Sequence, residues 1–254
     1  MTMTWSASTA FAEPLRLISL KPNITQSLMA LGLSDKIVGI TKFCMRPNPT
    51  AEIVGDYNSF DVEKIVRLKP DLVITSQENA SGRDFYRLTE LKIPTLLLNF
   101  DTWNNLLASL DELEKKISPA PQSPETVKAI PSVRLSQSLS ELRTRAIPLK
   151  GKSFVVIVQR VPLMVAGGKS FISTLLTEAG LVNVFENSSG AYPTVDEEIF
   201  IREGPELVFE LSHEGTASPE FLGQTVIPLK MEDFLASPIA VESLRTLVQQ
   251  LLTH

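Results

Sequence analysis

Sulfur and imidazole are scarce in this sequence. Cys44 is the one cysteine in 254 residues, so no internal disulfide can form. The two histidines, His213 and His254, cannot build a histidine-rich metal site or a mechanism that needs several imidazoles. Nor is there a basic surplus. The 24 Lys and Arg stand against 29 Asp and Glu, a net charge of -5, whereas a binder of the nucleic-acid backbone needs a basic face. No apolar run approaches the ~18–20 residues of a membrane span. The nucleophile elbow G-x-S-x-G is missing. Residues 163–170 end like a phosphate-binding loop, but Leu163 stands where the first glycine belongs, so 166–170 reads as a tight turn opening a helix. His213 sits in a polar loop, and Cys44 has no histidine near it in sequence. The expectation is a chain without a catalytic set, a metal site, a resident cofactor or a nucleic-acid partner.

What is present is an ordinary globular composition, 43% hydrophobic and 21% charged, in a chain long enough for one large domain or two lobes. Short apolar runs alternate with helical spacing. Strands are expected at 15–20, 37–40, 72–75 and 95–98, and helices at 24–31, 61–68, 84–91 and 103–117. Residues 118–124 hold three prolines in seven positions, the sharpest composition shift in the chain. A polar helical stretch follows over 124–145, with Val127, Ile130, Leu135, Leu139 and Leu142 three to five apart and Pro131 marking a kink or a late start. Helical throughout, it would be roughly 30 Å long, which suits a strut between lobes better than a core helix. The alternation then restarts: strands at 153–158, 207–211 and 225–228, helices at 170–179, 195–202 and 237–252. Such order implies parallel sheets with helices on their faces. The expected division is a leader over 1–13, an N-terminal lobe over 14–118, a linker and backbone helix over 119–147, and a C-terminal lobe over 148–254. In the leader, Ala10-Phe11-Ala12 fits the small-x-small pattern before an export cut, without the basic start and clean apolar stretch of a whole signal peptide.

The two halves echo one another. Tyr57, Asp61, Glu63, Arg67 and Pro70 match Tyr192, Asp196, Glu198, Arg202 and Pro205, all at an offset of 135. The same offset pairs Gly55 with Gly190, and Asp71-Leu72-Val73-Ile74 with Glu206-Leu207-Val208-Phe209. Each half thus carries a tyrosine loop, a short helix with glutamate in its first turn, a proline and a buried strand. Any α/β protein repeats helix, proline and strand; a paired Tyr and Glu at identical spacing is less generic. Halves that face one another would put Tyr57 and Tyr192 on opposite walls of one cleft, with Glu63 and Glu198 on its outer rim.

Residues 16–25, 31–40, 62–73, 166–172 and 191–195, in this order and with the proline-flanked strut between them, resemble the helical-backbone (class III) substrate-binding proteins of ABC importers. They look most like the cobalamin and ferric-siderophore branch. Each motif alone is weak; their order and spacing cover nearly the whole chain from about residue 14. The resemblance implies an α/β fold of two Rossmann-like lobes with parallel sheets, joined by one long backbone helix, with the ligand in the cleft between them. It implies a periplasmic, monomeric binding protein and no enzyme. It also implies an acidic residue on each lobe that docks onto arginines of the membrane permease, and those positions fall on Glu63 and Glu198. Read as bare residues, Glu63–Arg67 and Glu198–Arg202 are equally i,i+4 surface pairs worth ~0.3–0.5 kcal/mol each.

The resemblance maps the aromatic cleft walls of cobalamin-type members onto Phe43, Tyr57 and Tyr192, with Met164 as a further apolar contact. Ser76 stands where some members carry an aromatic, and 230–235 lacks the acid/arginine pair that some cobalamin binders have. Arg46, with Arg83 and Arg160, lies in or near the cleft loops, where an arginine can meet ligand carboxylates. The implied cargo is a large metal chelate, cobalamin or a related corrinoid, with a ferric siderophore or haem fitting the same walls. Two readings of other classes stand beside it: a ligand sensor without transport, and a two-lobed enzyme, which would need convergent acid/base groups. A continuous helical connector predicts little closure on binding.

Overall fold

The computed structural model describes residues 15–57, 59–117 and 131–253. The leader, the proline-rich boundary and the first part of the expected strut lie outside the described residues. In the first half, β1 (Leu17–Ser19), β2 (Ile37–Thr41), β3 (Glu52–Gly55), β4 (Leu72–Ser76) and β5 (Thr95–Leu98) form a sheet in the order β3-β2-β1-β4-β5. Every neighbouring pair is parallel. The helices are α1 (Pro22–Ala30), α2 (Val62–Arg67), α3 (Arg83–Glu90) and α4 (Trp103–Ile117). β3 was not expected from the sequence: it is a four-residue edge strand with one buried side chain, too short and too exposed to show a period.

After α5 (Pro131–Arg145), the second half builds its own sheet from β6 (Ser153–Gln159), β7 (Met164–Val165), β8 (Val182–Asn183), β9 (Leu207–Ser212), β10 (Glu220–Phe221) and β11 (Gln224–Lys230). Its order is β10-β11-β9-β6-β7, with β8 also on β6. β6, β8, β9 and β11 pair in parallel; β7 and β10 are two-residue antiparallel additions. Its helices are α6 (Phe171–Glu178), α7 (Glu197–Glu203) and α8 (Ile239–Thr253).

The 135-residue echo is structural. α2 and α7 begin at 62 and 197, and β4 and β9 at 72 and 207. Ile65 and Phe200, both fully buried, anchor the two short helices at equivalent positions. The acid before each strand does one job twice. The Arg16 amide donates to Asp71 Oδ2 (2.7 Å), and the Ser153 amide donates to Glu206 Oε2 (2.8 Å). Each carboxylate thereby fixes the start of the neighbouring central strand.

The core has three parts. One face of the first sheet packs Ile18, Val54 and Val73 against Ile65 and Leu88 of α2 and α3. One face of the second packs Val155, Ile157 and Val208 against Phe200 of α7. The remaining faces share a single core, in which Leu17 and Ile74 of the first sheet and Val156 and Phe209 of the second enclose α1, α4, α5, α6 and α8. The connecting helix expected over this stretch is, in its described part, also an element of the core. Leu135, Leu139 and Leu142 are buried, and α5 packs on α4 and α8. Polar ties reinforce the junction: the Gln26 side-chain amide donates to the Glu232 carbonyl (3.1 Å), and the buried Ser237 hydroxyl donates to Gln26 Oε1 (2.8 Å).

A cleft between the two sheets

In open α/β sheets, the crevice lies beyond the carboxyl ends of the strands, where the strand order reverses. In the first sheet that point is between β1 and β4; in the second it is between β6 and β9. Both face one cavity of about 970 Å³. The first half contributes Lys21 beyond β1, Tyr57 beyond β3, Ser76, Gln77 and Glu78 at the end of β4, and Leu98, Asn99 and Phe100 at the end of β5. The second half contributes Val158 of β6, Leu211 of β9, Met231 after β11, and Ser170, Phe171 and Ile172 at the start of α6.

Two close backbone approaches hold the tyrosine loops. Around Tyr57, the Asp56 amide donates to the Ser59 carbonyl (2.8 Å) and the Ser59 amide to Asp56 Oδ1 (3.1 Å). A side chain on Gly55 would lie 2.3 Å from that same carbonyl. Around Tyr192, the Gly167 amide donates to the Ala191 carbonyl (2.9 Å), and a Cβ on Gly167 would meet the Gly190 carbonyl at 2.8 Å. The turn that mimics a phosphate loop in sequence therefore serves to seat the Tyr192 loop. Ser170 caps the helix that follows, accepting from the Ser173 amide (3.3 Å).

Both tyrosines line the cavity. Burial pushes both phenols above the ordinary tyrosine range, and the nearby Glu78 carboxylate adds to it. They are held as neutral phenols, able to donate and accept hydrogen bonds but poor sources of phenolate.

The floor holds a buried cation. The Lys21 side chain is 2% exposed; its Nζ lies 3.2 Å from Glu78 Oε2 and 3.4 Å from the centroid of the Tyr57 ring. Burial pushes the Lys21 ammonium below its ordinary range, and Glu78 opposes that shift. Ser76 Oγ lies 3.3 Å from the same Glu78 oxygen. Sequence reading passed over both Lys21 and Glu78. The available signal was position alone, since Lys21 directly follows the strand beside which the sheet order reverses.

Other expected residues go elsewhere. Phe43 is 58% exposed, stacked with Lys42 (4.9 Å), and does not line the cavity. Met164 is on β7, bridged to Thr194, and also lies off the lining. Arg46 donates to the Pro49 carbonyl (3.2 Å) in its own loop. Arg83 is exposed at the start of α3. Arg160 is held by Glu210 through two hydrogen bonds (2.9 and 2.6 Å) and stacks on Phe221. The aromatic surface of the cavity comes instead from Phe100, Phe171 and Phe234 beside the two tyrosines.

Glu63 and Glu198 are exposed in the first turns of α2 and α7. The i,i+4 pairs do not form: Arg67 turns to Glu52 (3.3 Å) and Arg202 to Glu203 (3.4 Å). Among the described residues neither glutamate has an ion-pair partner. Val66 and Ile201, three positions on and again 135 apart, are exposed beside them.

A family profile described as Periplasmic binding protein matches residues 17–232. The chain belongs to this family. Proteins of this family are binding proteins, and they hand their ligands to the permeases of ABC importers. Among curated relatives, the Vitamin B12-binding protein of Vibrio parahaemolyticus serotype O3:K6 is 26% identical over 217 residues, covering 84% of this chain and 77% of the relative. Among solved structures, the periplasmic Vitamin B12 binding protein BtuF of Vibrio cholerae superposes with a TM-score of 0.73 at 23% identity, covering 94% of this chain and 98% of that one. The periplasmic heme-binding protein BhuT with two hemes gives a TM-score of 0.76 at 15% identity, covering 93% and 97%. The two structural likenesses establish the two-lobed fold. No helix among the described residues is long and apolar enough to cross a membrane.

Proposed function

We propose that this periplasmic binding protein captures a large metal chelate of the corrinoid class between its two halves and delivers it to an ABC importer. The observation that carries the reading is that Tyr57 and Tyr192 enter one cavity of about 970 Å³ from opposite halves of the chain. Aromatic faces cover a flat, bulky guest at low conformational cost, and phenols hydrogen-bond an amide rim. The four charged groups of the lining, Lys21, Lys169, Glu78 and Asp101, cancel formally, which suits a rim of amides better than one of carboxylates. The Vitamin B12-binding relatives point the same way. Among the described residues, neither Cys44 nor His213 lines the cavity.

Docking falls to Glu63 and Glu198. Each is a carboxylate without an ion-pair partner among the described residues, beside an exposed aliphatic side chain, at equivalent places in the two halves. A permease built from two symmetric subunits offers two equivalent cationic sites to such a surface. The protein acts as an exported monomer, with lobes over 14–118 and 148–254 joined by the linker and helix of 119–147.

Titration of the purified chain with cyanocobalamin, haemin and a panel of ferric siderophores tests the reading. Trp103 is 3% exposed and directly follows the cavity residues Asp101 and Thr102, so its fluorescence reports occupancy. Cyanocobalamin is expected to saturate at the lowest concentration. Preference for haemin or a siderophore, or no response to any corrinoid, refutes it.

A further inference from the structure

The Lys21–Glu78 pair is a lopsided one. The lysine side chain is 2% exposed and the glutamate side chain 62% exposed. A buried ammonium is costly unless compensated. Here the compensation is one carboxylate contact at 3.2 Å and one aromatic face at 3.4 Å. Glu78 belongs to the cavity lining, as does Lys21, and its charge is felt by both Tyr57 and Tyr192. Glu78 is thus a central anion of the cleft and the built-in counterion of its buried cation. A ligand carboxylate that reaches for Lys21 meets the more exposed Glu78 on its way. It either faces that like charge or must take its place on Lys21. A ligand with an amide rim meets no such competition, because amides donate to Glu78 and accept from Lys21 without disturbing the pair.

We propose that Glu78 is a charge-selecting residue of the cleft: by occupying the buried Lys21 ammonium it disfavours chelates with carboxylate rims and favours neutral, amide-rimmed ones. The inference rests on the corrinoid reading and deepens it, since it specifies the ligand periphery that the cleft accepts.

The test compares two corrinoids that share a ring and differ at the rim: dicyanocobinamide, whose side chains are amides, and dicyanocobyrinic acid, whose side chains are carboxylates. Both are titrated against the full chain at fixed, low ionic strength. The wild type is expected to bind the amide form at least about tenfold more tightly, a preference of ~1.4 kcal/mol. Glu78→Gln frees Lys21 for the ligand and should shrink that preference by about tenfold or reverse it. Adding Lys21→Met to Glu78→Gln should remove the gain for the carboxylate form. Thermal melts of each variant report folding, and the preference is read as a ratio within one protein, so a uniform loss of binding-competent chain cancels. A ratio unchanged within twofold in Glu78→Gln overturns the inference and leaves the corrinoid reading standing. Failure of the wild type to bind either corrinoid overturns that reading, and the inference with it.

Discussion

Removing the tyrosine rings addresses the cleft most directly. Tyr57 is 43% exposed and Tyr192 50% exposed. A tyrosine side chain carries about 200 Å² of surface, so roughly 85 and 100 Å² remain on the two rings for a guest to cover. At ~25 cal/mol per Å², complete coverage is worth about 2 kcal/mol on each side, and coverage of the cavity-facing half about 1 kcal/mol. Tyr57→Ala and Tyr192→Ala should therefore each weaken cyanocobalamin binding by about 5- to 30-fold, and the double variant by about the product if the rings act independently. The phenylalanine variants keep the area and lose only the phenol hydrogen bond, about 0.5–1.5 kcal/mol, so they should fall between wild type and alanine. Tyr57→Ala also uncaps Lys21, a contact of the kind worth about 0.5–2 kcal/mol. A melt of each variant separates that loss of stability from loss of binding. Isothermal titration calorimetry at one ionic strength is the assay. If both alanine variants bind within twofold of wild type, the rings are not the walls of the binding site.

Reversing both docking glutamates, Glu63→Arg with Glu198→Arg, should leave cyanocobalamin affinity within twofold while abolishing association with the importer in nanodiscs and uptake by cells; unchanged uptake would remove the docking assignment. Asn183 is buried, donates to the Ala166 carbonyl and Ser173 Oγ (2.8 Å each), and accepts from the Phe185 amide (2.8 Å). Asn183→Ala should cost about 2–4 kcal/mol, lowering the melting temperature by roughly 5–15 °C, and a loss below about 1 kcal/mol would contradict that network's role. The folded state holds the Tyr57 and Tyr192 protons more tightly than the unfolded chain does, so the stability they contribute is complete below about pH 10 and lost as pH rises further. Lys21 acts in the opposite sense below about pH 10.5, so urea midpoints of Tyr57→Phe/Tyr192→Phe should decline less steeply than wild type from pH 10 upward; parallel declines would argue against burial of the phenols. Small-angle scattering should give nearly the same radius with and without cyanocobalamin, and a large contraction would refute a rigid junction.

Much of this fold is legible in the sequence because duplicated βα units must repeat their buried positions and their turn residues together. The offset that joins Tyr57 to Tyr192 also joins the buried Ile65 to Phe200 and the strand-fixing Asp71 to Glu206. Short edges are harder to see: β3, β7 and β10 have two to four residues, too few to show a period. The cleft floor is harder still. Lys21 and Glu78 are 57 residues apart, and no spacing rule links them. They meet because parallel pairing aligns Ser19 with Ile74, which brings the two strand ends out side by side. Arg160 is a related case: a loop arginine meets a ligand only if no nearer carboxylate claims it, and Glu210 claims Arg160.

The shared core bears on how a loaded protein is recognised. Wide hinge closure needs two halves that part along a thin, wet junction. Here the sheets enclose one set of helices, with Leu106 and Leu110 of α4, Leu139 and Leu142 of α5 and Leu244 of α8 buried in a common cluster. The Gln26 side chain crosses the junction in two hydrogen bonds, one to the carbonyl of Glu232 and one from the buried Ser237 hydroxyl. Opening the halves would expose that apolar surface at ~25 cal/mol per Å² and leave buried polar groups unpaired. The separation of Glu63 from Glu198 is therefore set by packing rather than by the ligand. If Glu63 and Glu198 dock as proposed, docking geometry is then nearly the same for empty and loaded protein, and a permease would read the side chains and loops at the cleft, the Tyr57 and Tyr192 loops first among them. A preformed cleft of this kind spends little binding free energy on ordering itself, so selectivity rests on the shape and charge of its walls.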